Sequence, residues 1–279
     1  LQLALGNMGT AGGGANIFRG HDNVQGATDF CVLSHSLPGY YGLSAGAWKH
    51  WSRVWGEDYN WLKGQFDSIK GADGKEKSLM NLKGIPVSRW IDGVLEDKDN
   101  IDQPDNVRAM VFWGHAPNSQ TRMKEMKTAM EKLDLMVVVD PYPTVSAVLS
   151  DRTDGVYLLP ATTQFETYGS VTASNRSLQW REKVIDPSFD SLPDHTIIYK
   201  FAKKLGFADR MFRNITVNGD EPLIEDVTRE FNSGMWTIGY TGQSPERLKL
   251  HMENQHTFDR TTLQAVGGPA DGEIGRAHV

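Results

Sequence analysis

The sequence predicts an α/β fold with a parallel sheet covered by helices on both faces. Three short apolar runs, VRAMVFWG, DLMVVVD and GVYLLP, alternate with segments of helical pattern between residues 106 and 206. Buried parallel strands are typically continuous apolar runs, whereas amphipathic helices repeat every 3.6 residues. The short links favour strand–helix–strand connections, which place helices over the sheet.

The first strand ends at Gly114, and an amphipathic helix is predicted to follow it. Asn118 or Ser119 can cap the N-terminus of this helix. Its predicted buried face is Met123, Met126, Met130 and Leu133. The valine-rich second strand ends at Asp140, and the following PYPTVSAVLS suits a turn and a short helix.

The third strand stops at Pro160, and a capped amphipathic helix is predicted over PDHTIIYKFAKKLG. Asp194 lies at its start, and Gly206 is placed at the C′ position, where a left-handed residue ends many helices. The predicted apolar face of this helix is Ile197, Ile198, Phe201 and Leu205.

A tryptophan-rich helix is predicted upstream of the sheet. Trp48, Trp51 and Trp55 are spaced i, i+3, i+7, which favours a stripe that faces a core. A surface that stacks bases or sugars is the alternative.

Composition and charge exclude several classes of protein. The 279 residues carry a net charge of −6 with scattered basic residues, which argues against a nucleic-acid surface. No apolar run reaches about 18 residues, so no membrane span is expected. The single cysteine, Cys31, excludes an internal disulfide, and an iron–sulfur cluster needs about four thiolates. Cys31 is interpreted as a small buried hydrophobe.

Both ends of the sequence have the features of a truncated chain. The chain starts with LQLAL rather than a methionine, and Glu273 to Val279 match the translation of a common sequencing adapter. A natural polar tail is the alternative for the last segment. We therefore expect a fragment truncated at both ends.

The segment GNMGTAGGGANIFRGHDNVQG concentrates glycine ahead of an arginine and a histidine. Bare backbone N–H groups form anion-binding nests, so Gly12, Gly13 and Gly14 are candidates to approach a phosphate or a flat ring system. The Arg19 guanidinium can hold a small carboxylate through two parallel hydrogen bonds. In an extended segment His21 projects to the same side and can manage a proton there. A glycine-rich surface loop with a solvated arginine is the alternative.

Two candidate residues lie at the predicted carboxyl edge of the sheet, where open parallel sheets bind ligands. His115 follows the first strand, and Asp140 ends the second. A carboxylate there can accept hydrogen bonds from a ribose or from the N1–H and N2–H₂ edge of guanine. Capping of the turn before Pro141 is the alternative. The sequence contains neither a P-loop nor a GxGxxG motif between a strand and a helix.

Four motifs follow one another along roughly residues 1–206. They are GGGANIFRGHDNVQGATD with LPGY after it, VFWGHAPNSQ, LMVVVDPYPTVSA, and VYLLPATTQFETYGSVTASNRSLQW. Together they resemble the catalytic subunit of molybdenum- or tungsten-dependent formate dehydrogenases. GMWTIGYTGQSPERLKLH resembles the members of membrane-linked type. The resemblance implies a Rossmann-like sheet within a larger multi-domain molybdopterin oxidoreductase.

The composition, the adapter-like end and the resemblance together predict a division of the chain into five segments. These are a glycine-rich cofactor and substrate segment (1–29), a mixed helical and loop region (30–105), a Rossmann-like guanine-dinucleotide-binding domain (106–215), an irregular extension (216–272) and a non-native tail (273–279).

Single residues acquire implied roles in the same way. Arg19 matches the arginine that orients formate, and His21 lies beside it, where some relatives have glutamine. Asp140 matches an aspartate that binds guanine, and Asp194 matches a second nucleotide-binding acid. The implied cofactor-binding residues are Gly12, Gly13, Gly14, His115, Asp140, Thr167 and Asp194. Ala116 departs from the pattern, because asparagine is usual there.

The implied cofactor is bis(molybdopterin guanine dinucleotide) with molybdenum or tungsten, and a [4Fe–4S] cluster lies further upstream in such subunits. The implied reaction is oxidation of formate to carbon dioxide, and the fragment alone is expected to be inactive. Implied partners are an iron–sulfur electron-transfer subunit and a cytochrome b subunit, with the periplasm favoured over the cytoplasm. The alternatives are another molybdopterin oxidoreductase, such as a periplasmic nitrate reductase, and a non-catalytic nucleotide-binding module. The RGH sequence favours formate, because relatives acting on nitrate generally lack this arginine.

Overall fold

The computed structural model describes residues 1–10, 12–15, 17, 19–67, 78–82, 84–101, 103, 105–115, 122–145, 149–174 and 177–275. Its α-helices are α1 (Val24–Asp29), α2 (Ala45–Trp55), α3 (Tyr59–Asp67), α4 (Trp90–Leu95), α5 (Met123–Lys132), α6 (Asp194–Lys204), α7 (Ala208–Met211), α8 (Ile224–Gly234) and α9 (Pro245–Glu253). Its strands are β1 (Ala109–Trp113), β2 (Leu135–Asp140), β3 (Val156–Pro160), β4 (Gly169–Thr172), β5 (Leu178–Arg181), β6 (Val217–Asn218) and β7 (Glu221–Pro222).

The predicted parallel sheet is present, with β1, β2 and β3 side by side in that order. Alternate side chains of a strand point to opposite faces, and β2 shows this directly. Val138 packs into a cluster with α4 and α5, whereas Val139 packs with Ile197 of α6. The central strand is therefore buried on both sides, which explains why it reads as a continuous apolar run.

The helix between β1 and β2 begins later than its sequence suggests. α5 starts at Met123, preceded by Arg122 in the left-handed conformation with φ of 71°. The predicted caps Asn118 and Ser119 lie outside the described residues. The predicted face is buried at Met126, Met130 and Leu133. The prediction was wrong for Met123, which is 40% exposed because it is the first residue of the helix.

The helix α6 occupies the predicted segment, and Gly206 takes the predicted left-handed conformation with φ of 81°. Leu205 was wrongly placed on the buried face. It is 69% exposed, because the helix ends at Lys204 and Leu205 is its C-cap. The short helix predicted after β2 falls partly on residues 146–148, outside the described residues.

The tryptophan stripe of α2 faces a core, as predicted. Trp51 is fully buried, and its Nε1–H donates to the carbonyl oxygen of Pro38 (3.0 Å). Trp48 donates to the carbonyl oxygen of Met80 (2.8 Å). Buried indoles usually find such a partner for their N–H, and here both do. Phe231 of α8 packs into the same hydrophobic cluster as Trp48 and Trp51. The division of the chain into five segments stays a prediction.

Candidate functional site

A polar cavity of about 360 Å³ lies beside β4 and the start of α6. Its wall includes Thr167 and Asp194, two of the predicted cofactor-binding residues. Asp22 and Asn23, which directly follow the RGH motif, line the same cavity. The fold therefore brings the end of the glycine-rich segment to the predicted nucleotide-binding residues.

The hydroxyl of Thr162 is an unsatisfied group in this wall. Thr162 is 5% exposed, and its Oγ1 has no hydrogen-bond partner among the described residues. Buried hydroxyls are nearly always hydrogen-bonded, because leaving one unpaired is costly. This hydroxyl therefore favours a ligand with hydrogen-bonding atoms in the cavity.

Charged and amide side chains fix one side of the cavity. Arg181 forms an ion pair with Asp22 and donates to Oε1 of Gln164 (3.0 Å). The side-chain oxygen of Asn23 accepts a hydrogen bond from the backbone N–H of Thr172 (3.0 Å). These contacts hold the start of α1 against β4, so the RGH motif is tethered next to the cavity.

Asp194 lines the cavity and is also hydrogen-bonded to another side chain, Trp113. Its Oδ1 accepts a 2.6 Å hydrogen bond from Nε1–H of Trp113 at the end of β1. The next residue, His195, lines the same wall. Burial lowers the pKa of His195 to about 4, so its imidazole is neutral at pH 7. A neutral imidazole offers one donor and one acceptor nitrogen.

We expect His195 to make the protein less stable as the pH falls from about 6.5 to about 4. Over this range the unfolded chain binds the proton more readily than the folded chain, so protonation favours unfolding. Thermal unfolding of the full-length protein across this range should show a falling midpoint, and His195→Asn should remove part of the slope. His35→Asn, at an exposed histidine, is the control. An unchanged slope in His195→Asn contradicts this expectation.

Asp140 lies apart from the polar cavity, in a smaller one of about 180 Å³ at the carboxyl ends of β2 and β3. Its Oδ1 accepts a hydrogen bond from the N–H of Tyr142 (3.3 Å), as the turn-capping alternative predicts. The hydroxyl of Thr144, four residues further along, is buried with no hydrogen-bond partner in the described part of the chain. The turn contact and a role in ligand binding are therefore compatible at Asp140.

The remaining side-chain candidates, Arg19, His21 and His115, lie outside the walls of both cavities. Arg19 is half-buried, and its backbone N–H donates to Oγ of Ser174 (3.3 Å). Its guanidinium donates to the hydroxyl of Thr28 (3.4 Å). Both partners are neutral, so neither contact compensates the positive charge of Arg19. His21 is exposed, and His115 follows β1.

The three candidate glycines belong to a run of turns and line neither cavity. Gly12 and Gly14 have φ of 77° and 96°, in the left-handed region that strains other residues. A Cβ atom on Gly13 would collide with the carbonyl oxygen of Asn7 and the hydroxyl of Thr10. The local turn thus accounts for these glycines, and their role in cofactor binding stays a prediction.

A buried carboxylate that the sequence analysis did not single out anchors α1. Asp29 is 0% exposed and accepts hydrogen bonds from Nε2–H of Gln25 (2.8 Å) and from the hydroxyls of Tyr40 (2.9 Å) and Tyr240 (2.6 Å). The hydroxyl of Tyr240 also lies 2.9 Å from Oγ1 of Thr172. This network joins α1 to β4 and to a residue 211 positions away.

We expect Asp29→Leu to destabilise the protein strongly, because it leaves buried donors without an acceptor at about 1–3 kcal/mol each. Asp29→Asn should cost less, since it keeps one carbonyl acceptor and the tyrosine hydroxyls can reverse direction. Denaturant unfolding of the full-length protein compares the two, with Asp190→Leu at an exposed site as control. Equal losses in both Asp29 variants contradict this interpretation.

Comparison with known proteins identifies the family. A family model described as molybdopterin oxidoreductase matches residues 1–204. The chain belongs to the molybdopterin oxidoreductase family. This confirms the resemblance on which the motif analysis depends.

Within the molybdopterin oxidoreductases, several curated relatives are formate dehydrogenase subunits. The F420-dependent formate dehydrogenase subunit alpha of Methanocaldococcus jannaschii is 29% identical, over 90% of this chain and 31% of the relative. The formate dehydrogenase-O major subunit of Escherichia coli strain K12 is 29% identical, over 83% and 27%. The formate dehydrogenase 2 subunit alpha (cytochrome c-553) of Nitratidesulfovibrio vulgaris is 26% identical, over 67% and 21%. The chain thus spans less than a third of each relative's length.

The residues of the two cavities fit a molybdopterin cofactor. Such a cofactor carries ring N–H groups, hydroxyls and phosphate oxygens, which need donors and acceptors from the protein. The hydroxyl of Thr162 lacks a partner among the described residues and lines the larger cavity, and Asp194 and Asp140 each supply a carboxylate to one of the two cavities. Thr162 was not predicted, although it lies inside the VYLLPATTQFETYGSVTASNRSLQW motif.

Proposed function

We propose that the chain is part of the catalytic subunit of a formate dehydrogenase, which oxidises formate to carbon dioxide. The observation that carries this proposal is the RGH motif tethered beside a polar cavity that contains the unsatisfied hydroxyl of Thr162. The relatives named above support the choice of formate. The reaction belongs to the complete subunit, and the segment alone is expected to be inactive.

We infer that the cofactor is the bis(guanine dinucleotide) form of molybdopterin, with molybdenum or tungsten. Two separate cavities support this, because each contains one predicted nucleotide-binding acid, Asp140 or Asp194. Asp140 would hold one guanine, and Asp194 with Thr162 and Thr167 would hold the second nucleotide. The parallel sheet with helices over β2 supports a Rossmann-like nucleotide domain.

The protein binds and orients formate in this proposal. The bound metal centre and its sulfur ligands supply the two-electron chemistry. Arg19 grips both formate oxygens through parallel hydrogen bonds and offsets the cost of removing the anion from water. Its charge is not compensated by its contacts with Thr28 and Ser174, so it stays available to an anion. His21, two residues on, accepts or relays a proton.

The electron-transfer partners and the compartment are further proposals. The [4Fe–4S] cluster would lie elsewhere in the subunit, and electrons would pass to an iron–sulfur subunit and a cytochrome b subunit. The periplasm is our first choice of compartment and the cytoplasm the second. None of the helices in the described part of the chain has the length and hydropathy to cross a bilayer.

Metal analysis and formate-dependent dye reduction by the full-length gene product test this proposal. Molybdenum or tungsten together with formate oxidation supports it. Reduction of nitrate without formate oxidation would instead identify a nitrate reductase. A protein with neither metal nor turnover would be a non-catalytic nucleotide-binding module.

A further inference from the structure

Glu166 is a buried carboxylate held between two loops. It is 5% exposed, and its Oε2 accepts hydrogen bonds from the backbone N–H (2.7 Å) and the hydroxyl (2.9 Å) of Thr163. Its Oε1 accepts from the backbone N–H of Ser188 (2.7 Å). Both oxygens of one side chain thus connect segments 22 positions apart.

The first of these loops forms part of the wall of the polar cavity. Its residues in that wall are Thr162, Thr163, Gln164 and Thr167. The carbonyl oxygen of Phe165 accepts hydrogen bonds from the N–H groups of Val184 and Ile185 (2.9 and 3.1 Å), so the second loop is paired with the first. Glu166 itself does not line the cavity and lies behind its wall.

The hydrogen bonds of Glu166 favour an ionised carboxylate. The bonds from Ser188 and Thr163 lower the pKa of Glu166 to about 2, so the group is anionic at pH 7. Each carboxylate oxygen accepts from a backbone N–H, which can only donate a hydrogen bond and never accept one. Glutamine has nearly the same shape, but its amide NH₂ would face one of these donors.

We propose that Glu166 is a positioning residue for the nucleotide end of the cofactor, because it fixes the threonine-rich wall that receives this end. The inference rests on the proposed function and deepens it. The nucleotide contacts the wall residues, and Glu166 acts through Thr163. The carboxylate adds side-chain links from Thr163 and Ser188 to the backbone pairing at Phe165, and together these hold the shape of the wall.

The experiment compares full-length enzymes carrying Glu166→Gln, Glu166→Asp or the control Glu182→Gln. Glu182 is an exposed carboxylate that accepts a hydrogen bond from Nε1–H of Trp180 (2.9 Å). Guanine nucleotide released by acid is measured per folded polypeptide after gel filtration, together with the melting temperature and the formate KM. We expect at least a tenfold loss of nucleotide in Glu166→Gln, a smaller loss in Glu166→Asp and none in the control.

The formate KM of the remaining loaded enzyme should stay within twofold of wild type, because Arg19 is held by other residues, Thr28 and Ser174. Glu166→Asp keeps the charge but is too short to reach both loops, so it remains informative if the glutamine variant does not fold. Full nucleotide content in the folded fraction of both variants, with only a lower melting temperature, overturns the proposal. A wild-type enzyme without guanine nucleotide refutes the proposed cofactor itself.

Discussion

Arg19→Ala is expected to abolish formate oxidation by the full-length enzyme. Removing a charged, bidentate partner from a site shielded from water typically costs several kcal/mol, which corresponds to a rate loss of about 10³-fold or more. Arg19→Lys should leave a weak residual activity, because an ammonium keeps the charge but lacks the planar fork. The structure supports this expectation, since the guanidinium contacts only the neutral hydroxyl of Thr28 among the described residues.

Formate-dependent dye reduction at saturating and limiting formate measures this effect. Arg53→Ala is the matched control, because Arg53 is an exposed arginine in the last turn of α2. Its activity should equal that of wild type. Metal and nucleotide content should be unchanged in Arg19→Ala, so that the loss can be assigned to formate. Wild-type turnover by Arg19→Ala would refute the role of Arg19 in binding formate.

Asp140→Asn is expected to weaken binding of the cofactor, through one of its guanine nucleotides, in the full-length enzyme. A carboxylate can accept from both N1–H and N2–H₂ of guanine, whereas an asparagine amide offers one acceptor and turns a donor toward a donor. Hydrogen bonds to charged groups are worth about 1.5–3 kcal/mol each, so the loss in affinity is about 10-fold to 10⁴-fold.

The guanine nucleotide bound per polypeptide measures the result, with Asp154→Asn at an exposed aspartate as control. We expect the bound nucleotide per polypeptide to fall in Asp140→Asn and to stay unchanged in the control. Retention of both nucleotides in Asp140→Asn would mean that Asp140 only caps the turn through Tyr142.

The sheet could be predicted from sequence because its signal is local. Val137 and Val139 face one helix layer while Val138 faces the other, so β2 is apolar up to its last residue, Asp140. The residues at which helices end were harder to predict from the sequence. Leu205 fits the 3.6-residue spacing of apolar side chains in α6, but the helix ends one residue earlier, at Lys204. The spacing of apolar residues does not show where a helix stops.

The candidate site could be predicted only in part, because its residues meet through the tertiary fold. Motif resemblance selected Asp194 and Thr167, and the structure places both in one cavity. Asp29 and Tyr240 are joined by a hydrogen bond across 211 positions, and no local pattern indicates such a pair. Thr162 was missed for a related reason: a hydroxyl becomes informative only when burial and the absence of a partner among the described residues are known.

A structure of the full-length enzyme with formate bound tests the central claim most directly. We expect the Arg19 guanidinium within hydrogen-bond distance, about 3 Å, of both formate oxygens, and the guanine nucleotides at Asp140 and Asp194. Arg19 directed into bulk solvent, away from formate and from any molybdopterin, would contradict it.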